Sequence, residues 1–251
     1  SLPSPPPLVG PLSPNDFLTK IDRVLEGEII GPESIVVDGE KVYTGLADGR
    51  IIQIVGGRIT KTIKLVDDKR PADGSEDEEK FGRPLGMRQL SDEKIVVVDA
   101  FLGVFIVDFE TESKRIVFDA KTPLKGAEAR FLNDIDVISD DEVLFTDSSL
   151  LYSRKDSMKE IVGARGTGRV ISLRISTGEA KVLMSGLHFA NGIQVLPDRE
   201  SLIVAEMTRS RIMRYYFGGV KEGTFEEFCS NLPGMPDNLR LSHNENSVWV
   251  S

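Results

Sequence analysis

Strand-rich segments that recur about every fifty residues predict an all-β chain, a β-propeller with one four-stranded blade per repeat. Two observations carry this expectation. The first is a recurring phrase: Gly31-Pro32-Glu33-Ser34, Pro84-Leu85-Gly86-Met87, Leu132-Asn133-Asp134-Ile135, Ala190-Asn191-Gly192-Ile193 and Pro236-Asp237-Asn238-Leu239. One slot in each phrase, at positions 33, 85, 133, 191 and 237, advances by steps of 52, 48, 58 and 46. The second is that short β-branched and aromatic runs, separated by Asp-Gly and Gly-Gly turns, follow each phrase.

The elements follow in order. Residues 1–30 are a Pro-rich, extended lead and then a short helix, with Asn15 or Asp16 as its cap and Phe17, Leu18, Ile21, Val24 and Leu25 on one face. Blades are expected over residues 31–81, 82–130, 131–188 and 189–232, with the start of a fifth over 233–251. In the first, Ser34–Val37, Lys41–Thr44, Arg50–Val55 and Arg58–Val66 are the strands, turned at Asp38-Gly39, Asp48-Gly49 and Gly56-Gly57. Four repeats and half of another do not close a ring, so the expectation is a C-terminally truncated larger propeller. Two insertions interrupt the rhythm. Asp67–Lys80, with Asp73, Glu76, Asp77, Glu78 and Glu79, reads as a solvated loop, and Ser148–Thr167 reads as a short helix over one face, where a gating element would lie.

Composition narrows the function. The 31 basic and 40 acidic residues leave a net charge of −9 with no basic stripe, which argues against nucleic acid as a partner. One cysteine, Cys229, excludes an intrachain disulfide and a cysteine-rich zinc site. No run approaches the roughly twenty apolar residues of a spanning helix, and the start lacks a signal-peptide pattern.

If each phrase opens the innermost strand of its blade, the slots converge on the axis. Glu33, Asn133, Asn191 and Asp237 then offer two carboxylates and two amide oxygens to one hard cation, which points to calcium. Leu85 puts an apolar residue in the fifth slot. A calcium ion polarises a carbonyl or phosphoryl oxygen, and a nearby carboxylate acts as base or nucleophile, with Asp237 the first candidate and Glu33 the second. Taken singly, Asn-Asp, Asn-Gly and Asp-Asn are also ordinary turn pairs. His188, Asp147 and Ser148 are weaker candidates for the same face, each also readable as a loop or strand-end residue, and His243 reads as a structural turn residue.

The phrases resemble the family of adipocyte plasma membrane-associated and strictosidine synthase-like proteins. The resemblance is carried by Gly31-Pro-Glu-Ser34, Ala47-Asp-Gly-Arg50, Gly82-Arg-Pro-Leu-Gly86, Leu144-Phe-Thr-Asp-Ser-Ser149, Val204-Ala-Glu206 and Leu232-Pro-Gly234 with Pro236-Asp-Asn238. It implies a six-bladed propeller of the calcium-dependent phosphotriesterase superfamily, with paraoxonase, regucalcin and diisopropylfluorophosphatase as more distant cousins. It implies a calcium held by Glu33, Asn133, Asn191 and Asp237, with Asn238 a further ligand, and arylesterase- or lactonase-like hydrolysis of small esters. It also implies an N-terminal membrane anchor, absent from these residues, with the propeller on the lumenal or extracellular side. Two alternatives stay open: a non-catalytic membrane-associated scaffold with a structural calcium, and a strictosidine synthase-like enzyme condensing an amine with an aldehyde.

Overall fold

The computed structural model describes residues 3–67 and 77–251. The first sheet comprises β1 (Ile35–Asp38), β2 (Lys41–Gly45), β3 (Arg50–Val55) and β4 (Arg58–Lys64). The second comprises β5 (Pro84–Ser91), β6 (Lys94–Asp99), β7 (Gly103–Asp108) and β8 (Ser113–Asp119). The third comprises β9 (Leu132–Ser139), β10 (Glu142–Asp147), β11 (Gly168–Arg174) and β12 (Glu179–Leu187). The fourth comprises β13 (Ala190–Val195), β14 (Ser201–Glu206), β15 (Arg211–Tyr216) and β16 (Phe225–Cys229). A two-stranded fifth sheet is made by β17 (Leu239–Leu241) and β18 (Val248–Val250). Every sheet is an antiparallel meander in chain order, and the first strands of successive sheets lie side by side, which is propeller architecture.

The core is a series of apolar layers between neighbouring sheets. Tyr43 and Ile51 pack against Met87, Ile95 and Phe105 between the first two. Val96, Val104 and Ile106 meet Ile135, Val143 and Phe145 in the next layer. Leu144, Val170 and Met184 meet Ile193, Val204 and Met213 in the third. Ile203, Ala205 and Ile212 meet Leu239 in the fourth. Strands buried on both faces need apolar residues at nearly every position, and every residue of β14 is buried. Outer strands face water, and every residue of β16 is exposed.

The expected helix after Asn15 is absent. The Asn15 side chain accepts the Phe17 N–H at 3.2 Å, closing a local turn. Phe17, Leu18, Ile21 and Val24 are exposed, and only Leu25 is buried, against Leu46 and Ile52. A short amphipathic segment with no surface opposite its apolar face gains too little to pay for helix nucleation. The acidic insertion is also more than a solvated loop: Asp73 and Glu76 lie outside the described residues, but α1 (Glu78–Phe81) is helical, with Phe81 buried. In the second insertion a 3-10 turn over Arg154–Asp156 leads into α2 (Ser157–Gly163), the short helix expected there.

Candidate functional site

Three inner strands carry the same irregularity. In β5 the register passes from Pro84 opposite Asp99 to Met87 opposite Val97, which leaves one extra residue on the inner strand. In β9 it passes from Leu132 opposite Asp147 to Ile135 opposite Phe145, and in β13 from Ala190 opposite Glu206 to Ile193 opposite Val204. A one-residue bulge bends a strand and redirects its side chains. Each time it falls on the recurring slot, at Leu85, Asn133 and Asn191. Gly86 and Gly192 follow two of these slots because neighbouring backbone passes close by. A Cβ on Gly86 would stand 2.5 Å from the Asp134 Cα, and one on Gly192 would stand 2.5 Å from the Asp237 carbonyl oxygen.

Glu33, Leu85, Asn133, Asn191 and Asp237 line one cavity of about 240 Å3. Asn238 joins them through its Nδ2, which donates to Glu33 Oε1 at 2.8 Å. A hydrogen-bond chain sets the amide of Asn133: Ser148 Oγ donates to the Ala190 carbonyl at 2.7 Å and therefore accepts from Asn133 Nδ2 at 3.1 Å. The Asn133 carbonyl oxygen is left as the acceptor. Glu33 Oε2, Asn191 Oδ1 and Asn238 Oδ1 are buried with no hydrogen-bond partner. Buried acceptors without donors cost free energy, and three at one place call for a ligand that supplies positive charge. The set fits a hard, oxygen-seeking cation such as calcium. It is a carboxylate–amide set: among the described residues no three His, Cys, Asp or Glu side chains converge.

Burial pushes the Glu33 carboxyl above its ordinary range; the Asn238 hydrogen bond opposes this, and the charges of Asp134 and Asp237 add to it. Asp237 stays in contact with solvent. Its carboxyl is also raised, by burial first, with hydrogen bonding from Asn191 opposing. Burial leads in both shifts, and the charge of Asp134 adds to each, while Arg240 opposes it at Glu33.

A second polar cluster lies on the same strands, three residues beyond each slot, at Arg88, Asp136, Gln194 and Arg240, with Val36 completing the series. Arg88 Nε donates to Asp136 at 3.0 Å, Gln194 Nε2 donates to Asp136 at 2.7 Å, and the Leu241 N–H donates to Gln194 at 3.0 Å. Arg240 donates to Asp134 at 2.8 Å and to Ser34 Oγ at 2.9 Å, while the Ile193 N–H donates to Asp134 at 3.0 Å. This network ties all five sheets together. Burial alone would raise the Asp134 carboxyl, but Arg240 and Arg88 outweigh it and hold the group below its ordinary range. Sequence reading missed the cluster. Its signal was a repeat of the slot period offset by three, because a one-residue bulge puts positions i and i+3 on one face.

The remaining candidates take structural places. The His188 ring lies 2.8 Å from the Ala164 carbonyl and 3.2 Å from Arg209, and it does not line the cavity. Asp147 is buried and ion-paired with Arg169 at 2.8 Å. Sequence reading also missed the charged wall. Arg83, at the start of the second blade, and Arg154, in the second insertion, line the cavity, and both lie beside Glu78 of α1. Phe131 and Phe189, in edge-to-face contact with centroids 5.5 Å apart, supply an apolar side with Leu85, Ile161 and Met207. A cleft of about 400 Å3 at the rim of the second and third sheets contains none of these residues.

Fold and site together define a β-propeller with an oxygen-rich pocket on its axis. A family profile described as strictosidine synthase matches residues 133–220, and one described as strictosidine synthase-like, N-terminal, matches residues 10–54. Adipocyte plasma membrane-associated protein of Salmo salar is 42% identical, across 100% of this chain and 60% of the relative. Its Homo sapiens counterpart is 36% identical, with the same coverage. The chain thus spans 60% of the length of these relatives. Among solved structures, a calcium-binding protein, regucalcin, from Agrobacterium tumefaciens superposes with a TM-score of 0.61 at 15% identity, covering 88% of this chain and 67% of that one. That likeness is one of fold. The chain is similar to the strictosidine synthase-like family in the two profile-matched segments and, over its whole length, to the adipocyte plasma membrane-associated proteins.

Proposed function

We propose that these residues form the ion- and substrate-binding part of a calcium-dependent hydrolase of small esters or lactones. The observation that carries the reading is the set of three buried, unpartnered acceptor oxygens on Glu33, Asn191 and Asn238, beside a cavity shared with Asn133 and Asp237. Glu33 and Asp237 balance two positive charges, and the three asparagines add oxygens without further repulsion. A bound calcium supplies Lewis-acid polarisation of the ester carbonyl and steadies the oxyanion that follows. Asp237 is the base: its exposure to solvent puts it where water can reach it. Glu33 holds its place through Asn238 and is the second candidate. Leu85, Phe131 and Phe189 seat the apolar part of the substrate and keep bulk water from it.

A second reading has one observation in its favour. The Glu33–Asn238 contact joins the segments that lead into the first and fifth sheets, so an ion there would also staple the fold, as in a non-catalytic scaffold. The relatives' name speaks of the plasma membrane, and we extend that association to this protein, with an anchor N-terminal to these residues. Among the described residues no helix is long and apolar enough to cross a membrane.

The test is calcium titration by calorimetry together with aryl-ester turnover, in calcium and in chelator, for the wild-type chain, Glu33→Gln and Asp237→Asn. The expected result is calcium-dependent turnover, lost in Asp237→Asn, and weakened calcium binding in both variants. Calcium binding without turnover selects the scaffold, and binding that survives both substitutions overturns the site.

A further inference from the structure

The cavity has a basic wall that the ion site does not use. The Arg83 side chain is only 7% exposed, yet its Nη1 donates to a main-chain carbonyl, that of Gly31 at 2.6 Å, and its Nε has no hydrogen-bond partner. Arg154 Nε is likewise buried and without a hydrogen-bond partner. Glu78 serves both guanidinium groups from a distance, its carboxylate oxygens 3.7 Å from Arg83 Nε and 3.4 Å from Arg154 Nε. Two cations therefore face one shared anion, and the Nε–H of each is aligned on no acceptor. Burial weakens the hold of Arg83 on its charge, and the charge of Arg154 weakens it further. An arginine does not give up its proton in response; a further anion relieves the conflict.

Besides Glu78, the charges of Glu33 and Asp99 also reach Arg83, so the wall suits no more than a monoanion. A guanidinium fork matches a carboxylate in geometry as well as in charge. Phe131, Phe189 and Leu85 line the same cavity as this wall and the oxygen set. We propose that the cavity takes a carboxylate-bearing ester with an apolar or aromatic body, its carboxylate on Arg83 and Arg154 and its ester group toward Glu33 and Asp237. The inference rests on the reading of the cavity as a hydrolase site and names its substrate class. It assigns Arg83 and Arg154 as specificity residues, which recognise the substrate away from the reacting bond.

Binding and turnover separate the two ideas. Calorimetry with benzoate and with its neutral isostere benzamide, in calcium, reads the basic wall without any reaction. Benzoate is expected to bind at least tenfold more tightly, the scale of one charge-assisted hydrogen bond. Arg154→Met should remove most of that preference and Arg154→Lys only part of it. Arg154 is the position to vary because its side chain is 31% exposed, whereas Arg83 is buried and holds the Gly31 carbonyl. Turnover of 4-acetoxybenzoate against its methyl ester should show the same preference in KM. Equal binding of benzoate and benzamide, or a preference that survives Arg154→Met, overturns the inference and leaves neutral-ester hydrolysis standing. Selective benzoate binding with no hydrolysis of either ester overturns the hydrolase reading and leaves the anion site standing.

Discussion

Two polar clusters share the inner strands of this propeller, and they differ in one respect. Around Asp134, Asp136, Arg88, Gln194 and Arg240, each acid meets a base or an N–H and the network runs from sheet to sheet. Around Glu33, Asn191 and Asn238, acceptors outnumber donors and three oxygens are left without one. Both lie on or beside the same inner strands, but Arg88 and Arg240 supply donors to the first, and Glu33, Asn191 and Asn238 of the second include no cation. A complete buried network holds a structure in place, while an incomplete one marks where something else binds.

The largest blow to this contrast is Asp134→Ala. It leaves Arg88 and Arg240 facing each other without their shared carboxylate, and the expected loss is about 3 to 5 kcal/mol in urea unfolding. Glu33→Gln, measured in chelator, should instead leave stability within about 1 kcal/mol of wild type or raise it. The sign follows from linkage: an acid raised by burial weighs against the fold once it ionises, so at neutral pH the amide removes a burden. Equal losses from the two substitutions would erase the distinction.

A smaller effect sharpens it. Ser148→Ala touches no ligand yet releases the Asn133 amide, so calcium affinity should fall about tenfold while unfolding shifts by about 1 kcal/mol. The gentlest separation uses pH. The Glu33 and Asp237 carboxyls are raised, so they ionise only above the ordinary range, and calcium affinity should fall as pH drops through those raised values. The Asp134 carboxyl is depressed, so its contribution is fully present above the ordinary carboxylate range and is lost only as pH falls through its lower folded value. In the interval between, calorimetry should show calcium binding gone while circular dichroism shows the fold intact.

Much of this was legible in the sequence. β3 begins and ends where the turn residues and β-branched runs place it, β1, β2 and β4 keep to within about two residues of their expected bounds, and the slot residues of all five phrases line one cavity. Strand edges are written locally, by Asp-Gly and Gly-Gly pairs and by alternation, so a reader along the chain finds them. The segment after Asn15 misled because its helical period had no surface to meet, and an Asx turn prevailed. The basic wall was hidden for a different reason. Arg83, Arg154 and Glu78 come from a blade start and two insertions, and only the tertiary fold gathers them. Nothing in the period of the repeats says that a charge in an insertion will turn inward.

The bond from Asn238 to Glu33 spans 205 residues, and that from Arg240 to Ser34 spans 206. Contacts so far apart along the chain form late, because loop-closure entropy must be met before they give anything back. During synthesis, the first four sheets would emerge and pack layer on layer while the pocket still lacked Asp237, Asn238 and Arg240. An ion could not help such an intermediate to fold, and a chaperone would see an apolar flank at the unfinished end of the arc. The pocket is thus a timekeeper: its oxygens come together only when Asp237 and Asn238 arrive, and any ligand it holds reports that they have.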